Sequence, residues 1–164
     1  MKQKQILSVL VENQAGVLSK ITALFARRGF NIDSLAVGVT EDESMSRITM
    51  IVDSGGHAAE QVEKQLHKLI NVIKIKSFEN GDYIGRELII IKLSATAKSR
   101  SDIKTICDIM NAKISDISAT TITIELADTA DRVALFQEMV TPFGILEVAR
   151  TGVVAVQKGS AHMG

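Results

Sequence analysis

The chain has no tryptophan, one cysteine and one proline in 164 residues, and only 4% of its residues are aromatic. Each scarcity removes a class of function. A lone cysteine, Cys107, closes no intrachain disulfide, which predicts a reducing, cytoplasmic setting. So few aromatics offer no stacking platform for single-stranded bases. An excess of one charge is missing too: 19 basic and 19 acidic side chains give a formal net charge of zero. There is therefore no electrostatic footprint for nucleic acid. No apolar run approaches the roughly 20 residues that span a bilayer. The opening MKQKQILSV has neither the apolar core of a signal peptide nor the Arg/Ser-rich character of a transit peptide. Neither nucleic acid nor a membrane is expected as a partner.

What the chain does have is 46% hydrophobic residues, spaced in alternating strand and helix patterns. Residues 5–11 (QILSVLV) are nearly continuously apolar, as in a central strand. A polar turn, Glu12-Asn13-Gln14-Ala15-Gly16, leads into a helix from Val17 to Arg28. That helix carries Val17, Leu18, Ile21, Leu24 and Phe25 at 3.6-residue spacing, two arginines in its last turn and Gly29 after it. Asn31 to Thr40 predicts a strand with Ile32, Ser34, Ala36 and Gly38 on one face and Leu35, Val37 and Val39 on the other. It pairs as a hairpin with Ser46 to Asp53. After the break at Ser54-Gly55-Gly56, residues 58–69 predict a helix with Ala59, Val62, Leu66 and Leu69 inward, and Val72 to Phe78 a fourth strand. The order is β-α-β-β-α-β, the arrangement of ferredoxin-like domains.

Beyond a short linker, 79–84, the order recurs. A strand over 86–94 precedes a helix capped by Ser101 or Asp102 and reaching about Ala112, with Ile103, Ile106, Ile109 and Met110 buried. Two strands (113–119 and 121–127), a helix from Thr129 to Val140 closed by Pro142 and Gly144, and an extended stretch over 145–156 complete it. The expected fold class is α+β: two ferredoxin-like βαββαβ domains in tandem, over 1–78 and 85–157. Residues 158–164 form a small polar tail expected to be disordered.

Catalytic signals are weak. His57, His67 and His162 share no metal-ligand spacing, Cys107 has no nearby histidine in sequence, and Gly55-Gly56 belongs to no phosphate-loop motif. No catalytic residue, metal or cofactor is expected in this chain. A binding signal is present at the first helix. Its N-terminus offers free backbone N–H groups and a favourable dipole to a small carboxylate, and Gly16 removes the Cβ that would keep such a ligand away. Asn13 and Asn31 bracket the helix with amides that both donate and accept. The same residues also suit plain caps and turns. The corresponding stretch of the second half, ATAKSRSD, lacks glycine, so an anion site would belong to the first domain alone.

Three segments carry a family resemblance: ILSVLVENQAGVLSKITALFARRGFNIDSLAVG, EKQLHKLINVIKI and ILEVARTGVVAV. The first resembles an ACT domain. Together the three resemble the small, regulatory subunit of acetolactate synthase (acetohydroxyacid synthase), with threonine at Thr151 where that family often has serine. The resemblance implies a subunit without activity of its own. Such a subunit would activate a large catalytic subunit that carries thiamine diphosphate, Mg²⁺ and FAD. It would also confer feedback inhibition by valine or a related branched-chain amino acid. A homodimer paired through ACT domains is implied, with the effector in the crease between two chains. The implied effector residues are Asn13, Gln14, Ala15, Gly16, Val17, Leu18, Asn31 and Ile32. A small apolar patch of Val17, Leu18 and Ile32 would take the branched side chain. A stand-alone amino-acid sensor acting on a different enzyme is the alternative. On fold alone, a small ferredoxin-like acyl-phosphate hydrolase is a third reading, weakened because the NQAG turn holds no arginine.

Overall fold

The computed structural model describes residues 4–53, 55–79 and 81–163. Ser54 of the predicted break, Asn80 of the predicted linker and Gly164 of the predicted tail lie outside the described residues, as do Met1, Lys2 and Gln3. The chain divides into two units: Met1–Ile84 with Gly152–Gly164, and Gly85–Thr151.

In the first unit, β1 (Lys4–Glu12), α1 (Val17–Arg28), β2 (Asn31–Val39), β3 (Met45–Asp53), α2 (Ala59–Leu66) and β4 (Val72–Phe78) follow one another. The sheet order is β2-β3-β1-β4, with every neighbouring pair antiparallel. β1 is central, which is why it reads as a continuous apolar run. Leu7, Val9 and Val11 of β1 join Val17, Ile21, Leu24 and Phe25 of α1 and Val62 and Leu66 of α2 in one core.

Two expectations change here. The register of β2 shifts between Ile32 and Ser34, so strict alternation fails. Ile32 and Leu35 both pack on the core, which a bulge at Asp33 permits by inserting one extra residue. α2 also stops at Leu66 rather than Leu69. Its end is tightened by short bonds from Lys68 N to Gln65 O and Leu69 N to Leu66 O, at 3.2 and 3.0 Å, that turn the chain into β4.

The second unit repeats the plan with β5 (Tyr83–Ser94), α3 (Arg100–Met110), β6 (Lys113–Ile117), β7 (Thr121–Asp128), α4 (Ala130–Val140) and β8 (Ile145–Arg150). Its sheet path is β6-β7-β5-β8, so strands of equivalent rank occupy equivalent places. Ile89, Ile91 and Leu93, with Ile122, Ile124 and Leu126, pack against Ile103, Cys107, Val133 and Phe136. α3 begins earlier than the expected caps, since Ser99 occupies the N-cap position and Ser101 and Asp102 lie inside the helix. Ile109, expected to be buried, is 64% exposed, and Cys107 takes the inward place. β5 begins at Tyr83, inside the predicted linker.

The stretch over 145–156 resolves into β8 and a separate β9 (Val154–Gln157). Residues from Gly152 onward, predicted to close the second domain and to trail into disorder, belong instead to the first unit. Val153 and Ala155 pack with Phe78, Ile6, Ile51 and Tyr83, Met163 is buried, and Lys74 Nζ donates to the His162 carbonyl. The physical reason lies in the first sheet. Ile6, Ile51 and Phe78 are register partners, alternate with the core residue Leu7, and form an apolar patch that must be covered.

In the second unit, Glu87 is buried and held by a two-pronged contact from Arg150, whose Nε and second terminal nitrogen lie 2.8 and 2.9 Å from its carboxylate oxygens. Arg150→Ala is expected to destabilise this unit by about 2 kcal/mol, less than for a fully buried pair because the arginine is partly exposed. Removing Lys104 from its exposed pair with Asp108 should leave the unfolding midpoint unchanged. Urea denaturation followed by hydrogen exchange of second-unit amides checks both.

Candidate functional site

The polar turn after β1 is built by the strands around it. β1 and β3 stay in register from Lys4↔Asp53 to Glu12↔Met45, which carries Asn13 to the β2–β3 turn. There Asn13 N donates to Ser44 O at 2.7 Å and Asn13 Nδ2 donates to Glu43 O at 2.9 Å. The side-chain amide thus spends donor capacity on the turn and keeps its oxygen as an acceptor. The turn is braced by Asp42, whose Oδ1 accepts from Ser44 N at 2.9 Å and from Ser44 Oγ at 2.6 Å. Those two bonds hold the Asp42 carboxyl below its ordinary pKa.

Gly16 occupies the N-cap of α1 at φ 85°, in the left-handed region where a side chain is strained. It offers no side-chain cap, and the first helical turn holds no acidic residue. The first bond of the helical ladder runs from Lys20 N to Gly16 O at 3.0 Å. Val17 N makes a long 3.4 Å bond to Gln14 O. The amides of Leu18 and Ser19 therefore precede the ladder, at the positive end of the helix dipole. Ser19 is absent from the residues picked by sequence. Its only signal was its rank as the third residue of the helix.

Gln14, Ala15 and Gly16 are exposed around this helix start. Leu18 is 38% exposed and available to a ligand, whereas Val17 is 4% exposed and packs in the core. The expectation that the Val17 side chain lines an apolar ligand patch is therefore corrected: the helical period turns it inward. Ile32 is half-buried against the same core.

Asn31 lies elsewhere. α1 is 12 residues long, so its ends are about 18 Å apart, and Asn31 follows the far end. Within one chain it does not share a ligand with Gly16. Its Nδ2 donates to Asp33 Oδ1, and Asp33 pairs with Lys4 Nζ at 2.9 Å. A carboxylate only accepts, so the amide nitrogen must face Asp33 and the amide oxygen remains an acceptor. A cavity of about 410 Å³ opens at this end of α1, lined by Arg27, Arg28, Phe30, His57, Gln61, Lys64 and Gln65. None of the sequence-picked residues lines it.

Among the described residues no set of three or more His, Cys, Asp or Glu side chains is arranged to hold a metal ion. Burial pushes the Cys107 thiol above its ordinary pKa and keeps it protonated. His57 sits edge-on to Phe30, with ring centroids 5.6 Å apart, and its Nδ1 contacts Gln61 Oε1 at 2.9 Å. Among the described residues no helix is long and apolar enough to cross a membrane.

The first unit is a βαββαβ domain with an open helix start beside its central strand, and it is a domain of the ACT class. Residues 7–74 match the AHAS small subunit-like ACT domain, and residues 86–159 match the small subunit of acetolactate synthase. The acetolactate synthase small subunit of Mycolicibacterium smegmatis is 45% identical over 158 residues, covering 96% of this chain and 93% of that one. That of Haemophilus influenzae is 38% identical over 161 residues, covering 98% and 99%. The crystal structure of the small subunit from Thermotoga maritima superposes with a TM-score of 0.89 at 33% identity, covering 97% of this chain and 99% of that one. The chain belongs to the acetolactate synthase small-subunit family.

The brace under Asn13 has a defined acid limit. Because the folded pKa of Asp42 is depressed, its stabilisation is complete above the unfolded value near 3.8 and is lost as pH falls through the lower folded value. The Ser44 amide resonance should hold its position from neutral pH down to about 3.8 and shift only below it. In Asp42→Asn it should show no such titration.

Proposed function

We propose that the chain is a non-catalytic regulatory subunit. It raises the activity of an acetolactate synthase large subunit and makes it sensitive to valine or a related branched-chain amino acid. The large subunit, not this chain, holds the thiamine diphosphate, Mg²⁺ and FAD, and both work in the cytoplasm.

One observation carries the effector site. β2 ends its sheet, and Val37 and Val39 on it are 50% and 57% exposed. Asn31 starts β2, while Val39 lies beside Ser46 at the end where Asn13 and Ser44 meet. A second copy pairing antiparallel through β2 brings its Asn31 to the Asn13–Ser19 end of the first. The two halves, about 18 Å apart along α1 in one chain, then face each other. The resulting seam complements a zwitterion. The amides of Leu18 and Ser19, opened by Gly16, take the carboxylate. The side-chain oxygens of Asn13 and of the second copy's Asn31 take the ammonium, and Leu18 and Ile32 meet the branched side chain. Gln14 and Ala15 shape the turn.

Inhibition follows by population shift. An effector gripped by two copies favours one dimer geometry, and the large subunit prefers another. If inhibition acts through affinity, linkage requires effector and large subunit to weaken each other's binding by the same factor.

The charge at the helix start is tested by a near-isosteric pair. Gly16→Glu should abolish valine binding in isothermal titration, whereas Gly16→Gln, with equal backbone strain, should keep part of it. Equal loss in both variants would remove the carboxylate assignment. Asn31→Ala should weaken valine by about 1–3 kcal/mol, the range for a lost bond to a charged group. In assays of a large subunit with and without this chain, across valine, leucine and isoleucine, activation should survive both Gly16→Glu and Asn31→Ala.

A further inference from the structure

The last segment of the chain touches β2 at one defined place. Gly152 has φ 80°, and a Cβ built there would lie 2.4 Å from Ser34 Oγ and 3.4 Å from Leu35 N. The next residue, Val153, donates its amide to the same Ser34 Oγ at 3.2 Å and is buried. Beyond it, Ala155 is buried with Phe78, and Met163 is buried too. This strap therefore has anchors on both sides of β9, and its first contact needs a residue with no side chain.

The contacted residue adjoins the bulge. Ser34 follows Asp33, the residue inserted where the β2 register shifts. Asp33 accepts from the Asn31 amide and pairs with Lys4. An unbroken series of contacts thus runs from Gly152 and Val153 through Ser34 and the Asp33 bulge to the Asn31 side chain. Bulges bend the strand and re-aim its side chains, so contacts at a bulge bear on where the adjacent side chains point.

We infer that Gly152 and Ser34 are positioning residues for the effector seam: the strap clamps the β2 bulge, and the clamped bulge aims the Asn31 amide oxygen at the ligand's ammonium. Neither residue contacts the ligand. The inference rests on the effector reading above. It adds that effector affinity is set in part by a segment remote in sequence from the ligand-contacting turn.

Gly152→Ala introduces both the clash with Ser34 and left-handed strain. Gly159→Ala is the control, because Gly159 has φ 74° with nothing within 4 Å of its Cβ position and so carries strain alone. Ser34→Ala removes the acceptor of the Val153 amide without crowding Gly152. Two measurements on the full-length chain are needed. Hydrogen exchange of amides 32–36, without effector, reads the clamp itself. Isothermal titration with valine, leucine and isoleucine reads its consequence.

The expected result is faster exchange at 32–36 and a roughly three- to tenfold weaker effector in both Gly152→Ala and Ser34→Ala, the scale found for residues that touch neither ligand. Gly159→Ala should match the parent in both measurements. Unchanged exchange in Gly152→Ala overturns the clamp. Faster exchange with unchanged affinity overturns its link to Asn31. An equal effect in Gly159→Ala assigns the change to strain and overturns the inference. Should the parent chain bind none of the three amino acids, the effector reading fails and the positioning role falls with it, a result separate from the exchange measurement.

Discussion

A single backbone bond, Asn13 N to Ser44 O at 2.7 Å, joins the end of the central strand to the β2–β3 turn. It acts with the donation from Asn13 Nδ2 to Glu43 O at 2.9 Å to hold the polar turn after β1, while Val17 and Ile21 hold the start of α1 on the core. With these contacts, Gly16, the open amides of Leu18 and Ser19 and the oxygen of Asn13 share one rigid corner. The bond is possible because β1 is flanked on both sides by antiparallel neighbours, which leaves its last residues no freedom to drift. Asp42 braces the other half of that corner through Ser44, so the site rests on local polar contacts over a fully apolar core.

The two units show how little of a function belongs to a fold. They share strand order and the placement of both helices, yet only the first has a glycine at the start of its first helix. In the second unit Ser99 stands at that N-cap, and Thr96 N donates to its Oγ. There, Asp102 adds a negative charge to the first turn. An anion is welcomed at one helix start and opposed at the other. The same architecture thus presents different chemistry at its two equivalent helix starts.

Much of this was legible in the residues. The long apolar run of β1, the helical period of α1 and the paired strand patterns place every element of the first unit to within a few residues, and Gly16 marks the helix start. The misses have separate causes. The bulge at Asp33 breaks the alternation of β2, and nothing in NIDSLAVGV announces it, because a bulge is set by register with β3. Ile109 looked inward because it completes an apolar spacing, but the helix surface that meets the sheet is narrower than that spacing. Val17 belonged to the right turn, but its side chain belonged to the core. Ser19 was overlooked because what it offers is a backbone amide, to which its side-chain identity gives no clue.

Local chemistry determined the order of strands and helices, the left-handed glycine before α1 and the absence of such a glycine at the start of α3. Each depends on neighbours a few residues apart. Tertiary structure alone decided that the Gly152–Met163 segment returns to the first unit and that Val153, Ala155 and Met163 are buried there. Those facts depend on which surfaces remained uncovered once the sheets had formed. The apolar patch of Ile6, Ile51 and Phe78 demands burial, and no pattern within those strands names the distant residues that supply it.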